Sequence, residues 1–305
     1  ILEEIIKSKD QATVIVRPNS KRNQNLPQNE SIVYIPCDIS NIENLKLNDH
    51  DVFIHLAWQG TTGIDRQNKE LQQTNIKNSI NALRLAEKSH CNSFFFAGSQ
   101  AEYGNILEQG YYEQTELNKA VPKNEYGRAK LAFSKILEKY SKNTNMFIYH
   151  GRIFSVYGPK DQPNSLINLM LQNLTKKDGY MALGPCEHDW NFTFSEDIAK
   201  LILNLTSSKA PSGIYNLASH DTRPLKEFVN TILFMKDWSG VCQIGARQSN
   251  PASDIPLRPN IKKLEQYVQI EETPFVIGMQ KTIKENYNLQ LKKSDKITGS
   301  VGRTK

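Results

Sequence analysis

The chain has 305 residues, of which 38% are hydrophobic and 23% charged, and it carries a formal net charge of +6. This composition excludes disordered and fibrous proteins, and the length predicts either two domains or one large α/β domain. No apolar run approaches the ~20 residues of a membrane span. Residues 281–305 hold seven basic residues and two acidic ones, so most of the net positive charge lies in a C-terminal tail rather than on a nucleic-acid-binding surface.

Strands and helices alternate through the first half of the chain. An amphipathic helix is predicted over residues 1–9, and two long helices over 68–88 and 125–142. Short apolar runs predict strands over 12–17, 31–37, 51–57, 92–98 and 145–152. Continuously apolar strands separated by helices are typical of a parallel sheet that is covered on both faces. We therefore expect an α/β fold with a doubly wound, Rossmann-type and mostly parallel sheet.

The pattern changes after about residue 156, where the turn-rich loop YGPKDQPNS begins. Beyond it, helices are predicted over 164–176, 195–206 and 224–235, with short strands between them and a longer one over 213–219. We expect residues 1–155 to form the Rossmann domain and 156–290 to form a smaller α+β lobe. The strand near 213–219 is expected to return to the sheet, and 291–305 to form the basic tail.

The cysteines bear on the cellular compartment. The chain has four, and they lie far apart with no Cys-x-x-Cys pair: Cys37, Cys91, Cys186 and Cys242. This usage is typical of a reduced, cytoplasmic protein without a zinc site.

Tyr126 and Lys130 form the pair best suited to chemistry, because residues four apart share one face of a helix. Ser99 follows the strand at 92–98, at a carboxyl end where doubly wound sheets bind ligands. A tyrosine of pKa ~10 stays protonated at neutral pH and cannot shuttle protons unless its anion is stabilised. An ammonium ~4 Å away stabilises that anion by ~4 kcal/mol, or about three pKa units. With the Ser99 hydroxyl on the same substrate oxygen, the arrangement is suited to hydride chemistry at a carbinol.

These residues, in this order, resemble those of the extended short-chain dehydrogenases/reductases of the NAD-dependent epimerase/dehydratase family, whose members act on nucleotide sugars. The resemblance covers about residues 1–287. Asp38 is similar to the acid that contacts adenine, and HLAWQG at 55–60 to the turn that lines the cofactor. Asn75 is similar to the helix asparagine that braces the active site, and RIFSVYGP at 152–159 to the turn where substrate and nicotinamide meet.

The resemblance implies a role for each matching residue and no metal. The catalytic residues would be Ser99, Tyr126, Lys130 and Asn75. The dinucleotide would contact Arg17, Lys21, Asp38, Ile39, Leu56, Ala57, Trp58, Asn75, Tyr126, Lys130 and Ile153. The nucleotide-sugar substrate would contact Ser99, Gln100, Ser155, Asn164, Ser165, Trp190, Asn191 and Arg247. The family also implies a homodimer through the two long helices, unless Phe133 and Leu137 are used up by packing on the sheet.

The residue that ends the strand at 12–17 indicates which dinucleotide binds. An acid there would contact the ribose 2′-hydroxyl of NAD, and a cation would contact the 2′-phosphate of NADP. Here Arg17 is followed by Ser20, Lys21 and Arg22, with no acid nearby in the sequence, and a guanidinium suits a phosphate. The sequence therefore favours NADP over NAD; the alternative is that these are solvated loop charges.

The residues after Ser99 bear on the reaction. Family dehydratases place an acid pair directly after the catalytic hydroxyl, where it removes water across C5–C6. Here Gln100 and Ala101 occupy those positions and Glu102 comes one position later, so elimination is not expected. Two reactions remain: reduction of an NDP-4-keto-6-deoxyhexose, and 4-epimerisation of a nucleotide sugar through a transient ketone.

The choice between these reactions depends on how the dinucleotide is used. A reductase exchanges NADPH at each turnover, whereas an epimerase retains its NAD, so Arg17 favours a reductase. A third interpretation is a non-catalytic dinucleotide sensor or scaffold of the same fold. Such proteins typically lose the tyrosine or the lysine, and Tyr126 and Lys130 are both present.

Two positions depart from the family. Residues 190–192 read Trp-Asn-Phe where the family has Arg-Asp-Phe, so the arginine that would grip the substrate diphosphate is replaced, and Trp190 is equally suited to the lobe core. Ser155 stands where the family has asparagine. The residues that could take over the phosphate contacts are Asn164, Ser165 and Arg247.

The largest departure is at the front of the chain. The family opens with a strand and a Gly-x-x-Gly-x-x-Gly turn that holds the pyrophosphate. Residues 1–9 resemble the helix that follows this turn. Without the strand, which would be central in the sheet, its neighbours would have unpaired edges. We expect a fragment of a longer protein; the alternative is a defective gene, which the intact site residues disfavour.

Overall fold

A computed structural model describes residues 1–104, 120–249 and 255–289. The helices are α1 Leu2–Ser8, α2 Lys69–Lys88, α3 Glu125–Ser141, α4 Leu166–Leu174, α5 Ser195–Thr206, α6 Leu225–Phe234, α7 Lys262–Glu265 and α8 Phe275–Tyr287. The strands are β1 Ala12–Val16, β2 Ile32–Pro36, β3 Val52–His55, β4 Ser93–Ser99, β5 Phe147–Ile153, β6 Ser155–Tyr157, β7 Tyr180–Ala182, β8 Asp189–Phe194, β9 Gly213–Leu217, β10 Thr222–Pro224 and β11 Val241–Gln243. The predicted basic tail at 291–305 lies outside the described residues.

The largest sheet has four parallel strands in the order β3-β4-β5-β9. Ile54, Phe95, Tyr149 and Gly213 are aligned across it. β9 adds to β5, so the predicted return strand is confirmed. Helices joining parallel strands cover both faces, which confirms the doubly wound, Rossmann-type α/β fold.

The apolar run of β4 is explained by burial on both faces of the sheet. Phe94 and Phe96 point to the face covered by α2 and α3, where they pack with Phe133 and Leu137. Phe95 points to the opposite face and packs against residues of α5. Phe133 and Leu137 are therefore used by the core, and a homodimer through the two long helices stays a prediction.

The first two strands form a sheet of their own. β1 pairs with β2 in parallel, and among the described residues neither β1 nor β3 has a second strand partner. The expectation that the chain starts in a helix is confirmed over Leu2–Ser8, and Ile1 packs against the cluster under α5. The His50 Nε2 and Thr13 Oγ1 atoms, 2.9 Å apart, link β1 to the segment before β3.

A second lobe follows β5. It contains the mixed sheet β10-β8-β6 and the parallel pair β11-β7. Its core is aromatic, with Tyr157, Phe192, Phe228 and Phe275 in ring contact. β6 begins at Ser155 and already belongs to this mixed sheet, while the domain boundary at 155 stays a prediction.

Two expectations about the whole chain can be compared with the described residues. Among their helices, none combines the length and apolarity that crossing a membrane requires. All four cysteines lie within the described residues, and Cys91, Cys186 and Cys242 are buried. The buried ones contribute small side chains to the core.

Candidate active site

Ser99 ends β4 and caps the short 3-10 helix Gln100–Glu102. Its Oγ accepts a hydrogen bond from the Ala101 N–H at 3.2 Å, and the Glu102 carboxylate accepts one from the Ser99 N–H at 2.8 Å. This reciprocal capping box satisfies two backbone donors of the turn. The hydroxyl of Ser99 is thereby fixed at the carboxyl end of the sheet.

Glu102 is fully buried and held by His150 and Arg152 of β5. Its carboxylate accepts from His150 Nε2 at 3.0 Å and from Arg152 Nε at 2.9 Å, in addition to the Ser99 N–H. Burial alone raises the pKa of Glu102, but His150 and Arg152 outweigh it and lower the pKa to about 2. A carboxylate held in this way is not available as an acid for elimination. Its place in the sequence, one position after the acid pair of the family dehydratases, agrees with this.

The start of α3 brings Tyr126 to the Ser99 turn. The Asn124 side chain caps the helix by accepting from the Gly127 N–H at 2.8 Å. A Cβ at Gly127 would overlap the carbonyl oxygen of Ala101, so only glycine lets the helix approach this closely. Tyr126 is consequently beside Ser99 and 7% exposed.

The ionisation of Tyr126 depends on four neighbouring influences. Burial raises its pKa above the ordinary value, while a hydrogen bond with Ser99 and the charge of Arg66 lower it; Glu102 adds to the rise. The Arg66 guanidinium lies over the ring, with Cζ 4.4 Å from the centroid. Arg66 belongs to no motif in the sequence, and only the path of the loop after β3 brings it to the tyrosine.

Lys130 lies deeper than the sequence predicts. Its Nζ donates to the Ala97 carbonyl at 2.7 Å and lies 3.8 Å from the Trp58 ring centroid, but 5.8 Å from that of Tyr126. It is 3% exposed, and burial lowers its pKa to about 7. The Ala97 carbonyl and the Trp58 indole therefore both contact the ammonium that the sequence predicts beside the phenol.

A polar network ties the loop after β3 to α2. Asn75 accepts from the Gln59 N–H at 3.0 Å and donates to the Gln59 carbonyl at 2.9 Å. Gln72 accepts from Trp58 Nε1 at 2.8 Å. Both ends of the buried Asn75 amide are thus engaged with Gln59, and its role as a brace of the active site stays a prediction. Gln72 matches no motif of the family in the sequence, and only these contacts show that it belongs to the site.

The predicted dinucleotide residues at the ends of the first strands fit a nucleoside. Arg17 and Lys21 are exposed after β1. Asp38 accepts from the Ser40 N–H and hydroxyl at 2.9 and 2.7 Å; these bonds and the Arg17 charge lower its pKa. Leu56 is 49% exposed at the end of β3, which offers an apolar surface beside these charges. This donor set fits the adenosine half of a dinucleotide.

The remaining predicted dinucleotide residues differ in exposure. Ala57 is exposed next to Leu56, and Trp58 meets Tyr126 edge-on with centroids 6.3 Å apart. Ile39 and Ile153 are partly buried and pack against core clusters. Trp58, Tyr126 and Lys130 therefore form one continuous patch, which fits the nicotinamide half.

Among the predicted substrate residues, the prediction for Asn191 needs correction. It is fully buried, and its amide donates to Ser219, Asp221 and Thr222. These bonds join β8 to the loop before β10 and leave no donor for a substrate. Asn191 therefore has a structural role, which its family-like position did not reveal.

The other predicted substrate residues are scattered over both lobes. Trp190 packs against two core clusters, which supports the core alternative, although its buried Nε1 has no partner in the described ranges. Ser165 caps α4 by accepting from the Asn168 N–H. The predicted residues with some exposure are Ser99, Gln100, Ser155, Asn164, Ser165 and Arg247. Among these, Ser99 and Gln100 belong to the turn beside Tyr126.

Comparisons with known proteins bear on the family and the fold. The model of the NAD dependent epimerase/dehydratase family matches residues 1–218. A UDP-glucose 4-epimerase from Thermotoga maritima with UDP-glucose superposes with a TM-score of 0.78, at 15% identity and with 93% of each chain covered.

Two further solved structures have the same fold. A UDP-N-acetylglucosamine 4-epimerase from Methanobrevibacter ruminantium M1 in complex with UDP-N-acetylmuramic acid gives a TM-score of 0.73 at 20% identity, covering 90% of this chain and 89% of that one. A dTDP-glucose 4,6-dehydratase from Bacillus anthracis in complex with NAD gives 0.74 at 17% identity, covering 94% and 93%. At such identities these likenesses establish the fold.

Proposed function

Since the chain belongs to the NAD-dependent epimerase/dehydratase family of extended short-chain dehydrogenases/reductases, we propose that it reduces the 4-ketone of an NDP-4-keto-6-deoxyhexose with NADPH. The observation that carries this proposal is the convergence of Ser99, Tyr126 and Lys130 at the end of β4, beside a carboxylate locked in ion pairs. The site has one proton carrier for one substrate oxygen, which is what a carbonyl reduction needs.

Each side chain has a defined part in this reaction. When bound, a nicotinamide dinucleotide would supply the hydride that reduces the C4 carbon. Tyr126 donates its phenolic proton to the C4 oxygen, so that the ketone becomes an alcohol and the phenolate is reprotonated from solvent. The Ser99 hydroxyl donates a hydrogen bond to the same oxygen and polarises the carbonyl. Lys130, held by the Ala97 carbonyl, would bind the ribose next to the nicotinamide and favour the phenolate electrostatically.

Dehydration is not supported as the reaction. Elimination of water needs an acid and a base in addition to the tyrosine, and Gln100 and Ala101 provide neither. Glu102 has a pKa of about 2 and three hydrogen-bond donors on its carboxylate, so its proton is absent at neutral pH. The proposed chemistry is therefore confined to hydride transfer and a single proton.

NADPH is proposed because of the exposed cations after β1. Arg17 and Lys21 would bind a 2′-phosphate, and the Asp38 carboxylate would contact the adenine. Replacing both cations in Arg17→Ala/Lys21→Ala should lower kcat/KM for NADPH at least tenfold and leave that for NADH nearly unchanged. An equal loss with both dinucleotides would speak against a phosphate contact.

The test of the reaction is turnover by the full-length protein. It is incubated with NADPH and a panel of NDP-4-keto-6-deoxyhexoses, and the nicotinamide absorbance is followed. Tyr126→Phe should abolish turnover, whereas Tyr267→Phe, at an exposed tyrosine whose ring contacts Tyr215, should not. Full activity of Tyr126→Phe would overturn the proposal. Dinucleotide binding without turnover of any sugar would favour a sensor or scaffold.

The second candidate is an NAD-dependent 4-epimerase. It is favoured by the single proton carrier, because Tyr126 can remove and return the same proton on either side of a transient ketone. An epimerase would be purified with NAD bound and would interconvert sugars without added dinucleotide. A reductase would exchange NADPH and accumulate NADP, so the nucleotide content of the purified protein separates the two.

We also propose that the reaction takes place in the cytoplasm. The wide spacing of the four cysteines, with no Cys-x-x-Cys pair, and the burial of Cys91, Cys186 and Cys242 support a reducing compartment. Fractionation of cells that express the full-length protein tests this location.

A further inference from the structure

Arg66 approaches the ring of Tyr126 more closely than any lysine of the described ranges does. It lies on the 3-10 helix Gly63–Gln67, and its Cζ is 4.4 Å from the ring centroid, against 5.8 Å for Nζ of Lys130. Its Nη1 donates to the Thr61 carbonyl at 3.0 Å, which orients the guanidinium plane. A cation so placed meets the negative face of the aromatic ring.

The loop that carries Arg66 is fastened to α2 by one buried amide. Gln72 is 1% exposed, and its Nε2 donates to the carbonyls of Gly60 at 2.9 Å and Asp65 at 3.1 Å. Gly60 has a φ of 66°, and a Cβ there would lie 2.7 Å from Leu71 Cδ2. Glycine and glutamine at these positions thus hold the loop against the helix, with Arg66 directed to the site.

The charges around Tyr126 give Arg66 an electrostatic effect that Lys130 does not duplicate. The charged groups that face the tyrosine are Arg66 from the loop, Lys130 from α3 and Glu102 from the turn after β4. Lys130 shares its ammonium with Ala97 and Trp58, and its pKa of about 7 means that it loses charge above neutral pH. Arginine stays charged throughout this range.

We propose that Arg66 is a positioning residue for Tyr126: held over the ring by the loop fastened to Gln72, its guanidinium orients the phenol and favours its anion. A phenolate ring is more electron-rich than a phenol ring, so a cation on its face stabilises the anion more. This inference rests on the proposed function only in that Tyr126 is the proton carrier. The effect on ionisation is a property of the folded chain with or without turnover.

The experiment compares Arg66→Gln and Arg66→Lys with the wild type. Arg128→Gln is the matched control, since Arg128 lies two residues from Tyr126 but pairs with Glu125. Each full-length protein is labelled with 3-fluorotyrosine, whose more acidic phenol titrates while the protein is folded. The 19F resonance of Tyr126 is assigned from its loss in Tyr126→Phe, and its shift is followed against pH.

Arg66→Gln should raise the midpoint of the Tyr126 titration by about one pH unit, which is a tenfold lower phenolate fraction. Arg66→Lys should recover at least part of this change, and Arg128→Gln should leave the midpoint in place. The pH profile of kcat/KM should move in the same direction in Arg66→Gln. An unchanged midpoint in Arg66→Gln, or an equal change in Arg128→Gln, overturns the inference. Absence of turnover with every sugar would instead overturn the proposed function and leave the titration interpretable.

Discussion

The buried ammonium of Lys130 is expected to reduce the stability of the fold, and Lys130→Met measures this cost. Burial lowers the pKa of Lys130 from 10.5 to about 7. At ~1.4 kcal/mol per pKa unit, holding the charge inside the fold costs roughly 5 kcal/mol. Methionine occupies a similar volume but removes the hydrogen bond to the Ala97 carbonyl, at a cost of about 1–3 kcal/mol. The substitution should therefore raise the free energy of unfolding by roughly 3 kcal/mol.

The gain from Lys130→Met must depend on pH. The folded-state pKa is lower than the unfolded one, so the unfolded chain binds more protons between about 7 and 10.5. The penalty on the wild type is complete below about pH 7, and it disappears as the pH rises to 10.5. The variant should accordingly be most stabilised, relative to the wild type, in mildly acidic buffer.

The assay is urea unfolding of nucleotide-free protein, followed by far-UV circular dichroism across this pH range. Lys135→Met, at an exposed position of the same helix, is the control and should change the free energy of unfolding by less than about 0.5 kcal/mol at every pH. Lys130→Met should also be inactive. If it is less stable than the wild type below pH 7, or if the difference does not vary with pH, the reasoning about burial is refuted.

Two further substitutions test the residues that hold the site in place. Glu102→Gln should lower the free energy of unfolding by about 3–5 kcal/mol in urea, because it leaves the buried guanidinium of Arg152 without its anion. The surface variant Glu138→Gln should lower it by less than about 0.5 kcal/mol, and similar losses would contradict this account. Gly127→Ala should reduce kcat roughly tenfold to a hundredfold in steady-state assays, because its Cβ meets the Ala101 carbonyl and displaces the start of α3. Gly184→Ala, where a Cβ meets nothing closer than 3.8 Å, should leave kcat unchanged. Equal activity of the two variants would argue against a close approach of α3 to the Ala101 carbonyl at Gly127.

The fold was predictable because its strands are buried on both faces. A run such as Phe94–Phe96 is apolar at every position, since successive side chains enter different core clusters on the two sides of β4. The return of β9 to the sheet also followed from its apolar sequence. By contrast, α8 (Phe275–Tyr287) went unpredicted, although Phe275 and Met279 are among the most buried residues of the second lobe.

The site was predictable where it depends on spacing along one element, and not where it depends on loops. Tyr126 and Lys130 share a helix face whatever the rest of the chain does. Arg66 reaches Tyr126 only through the loop path that Gln72 fixes, which no local pattern encodes. Asn191 shows the opposite difficulty. Its position in a family motif does not reveal that its amide already donates hydrogen bonds to neighbouring residues of the protein.

Ser99 joins two groups of charges that the site keeps apart. Its N–H donates to Glu102, whose carboxylate neutralises the buried Arg152 of β5, while its hydroxyl interacts with Tyr126. The first group is balanced internally, so it can fix the turn without exchanging protons at neutral pH. In the second group, burial keeps the pKa of Tyr126 raised, while its hydrogen bond with Ser99 and the charge of Arg66, whose Cζ lies over the ring, lower it in part. An enzyme that moves one proton at one oxygen requires this separation, because a second titrating carboxylate at the turn would compete with Tyr126 for the substrate.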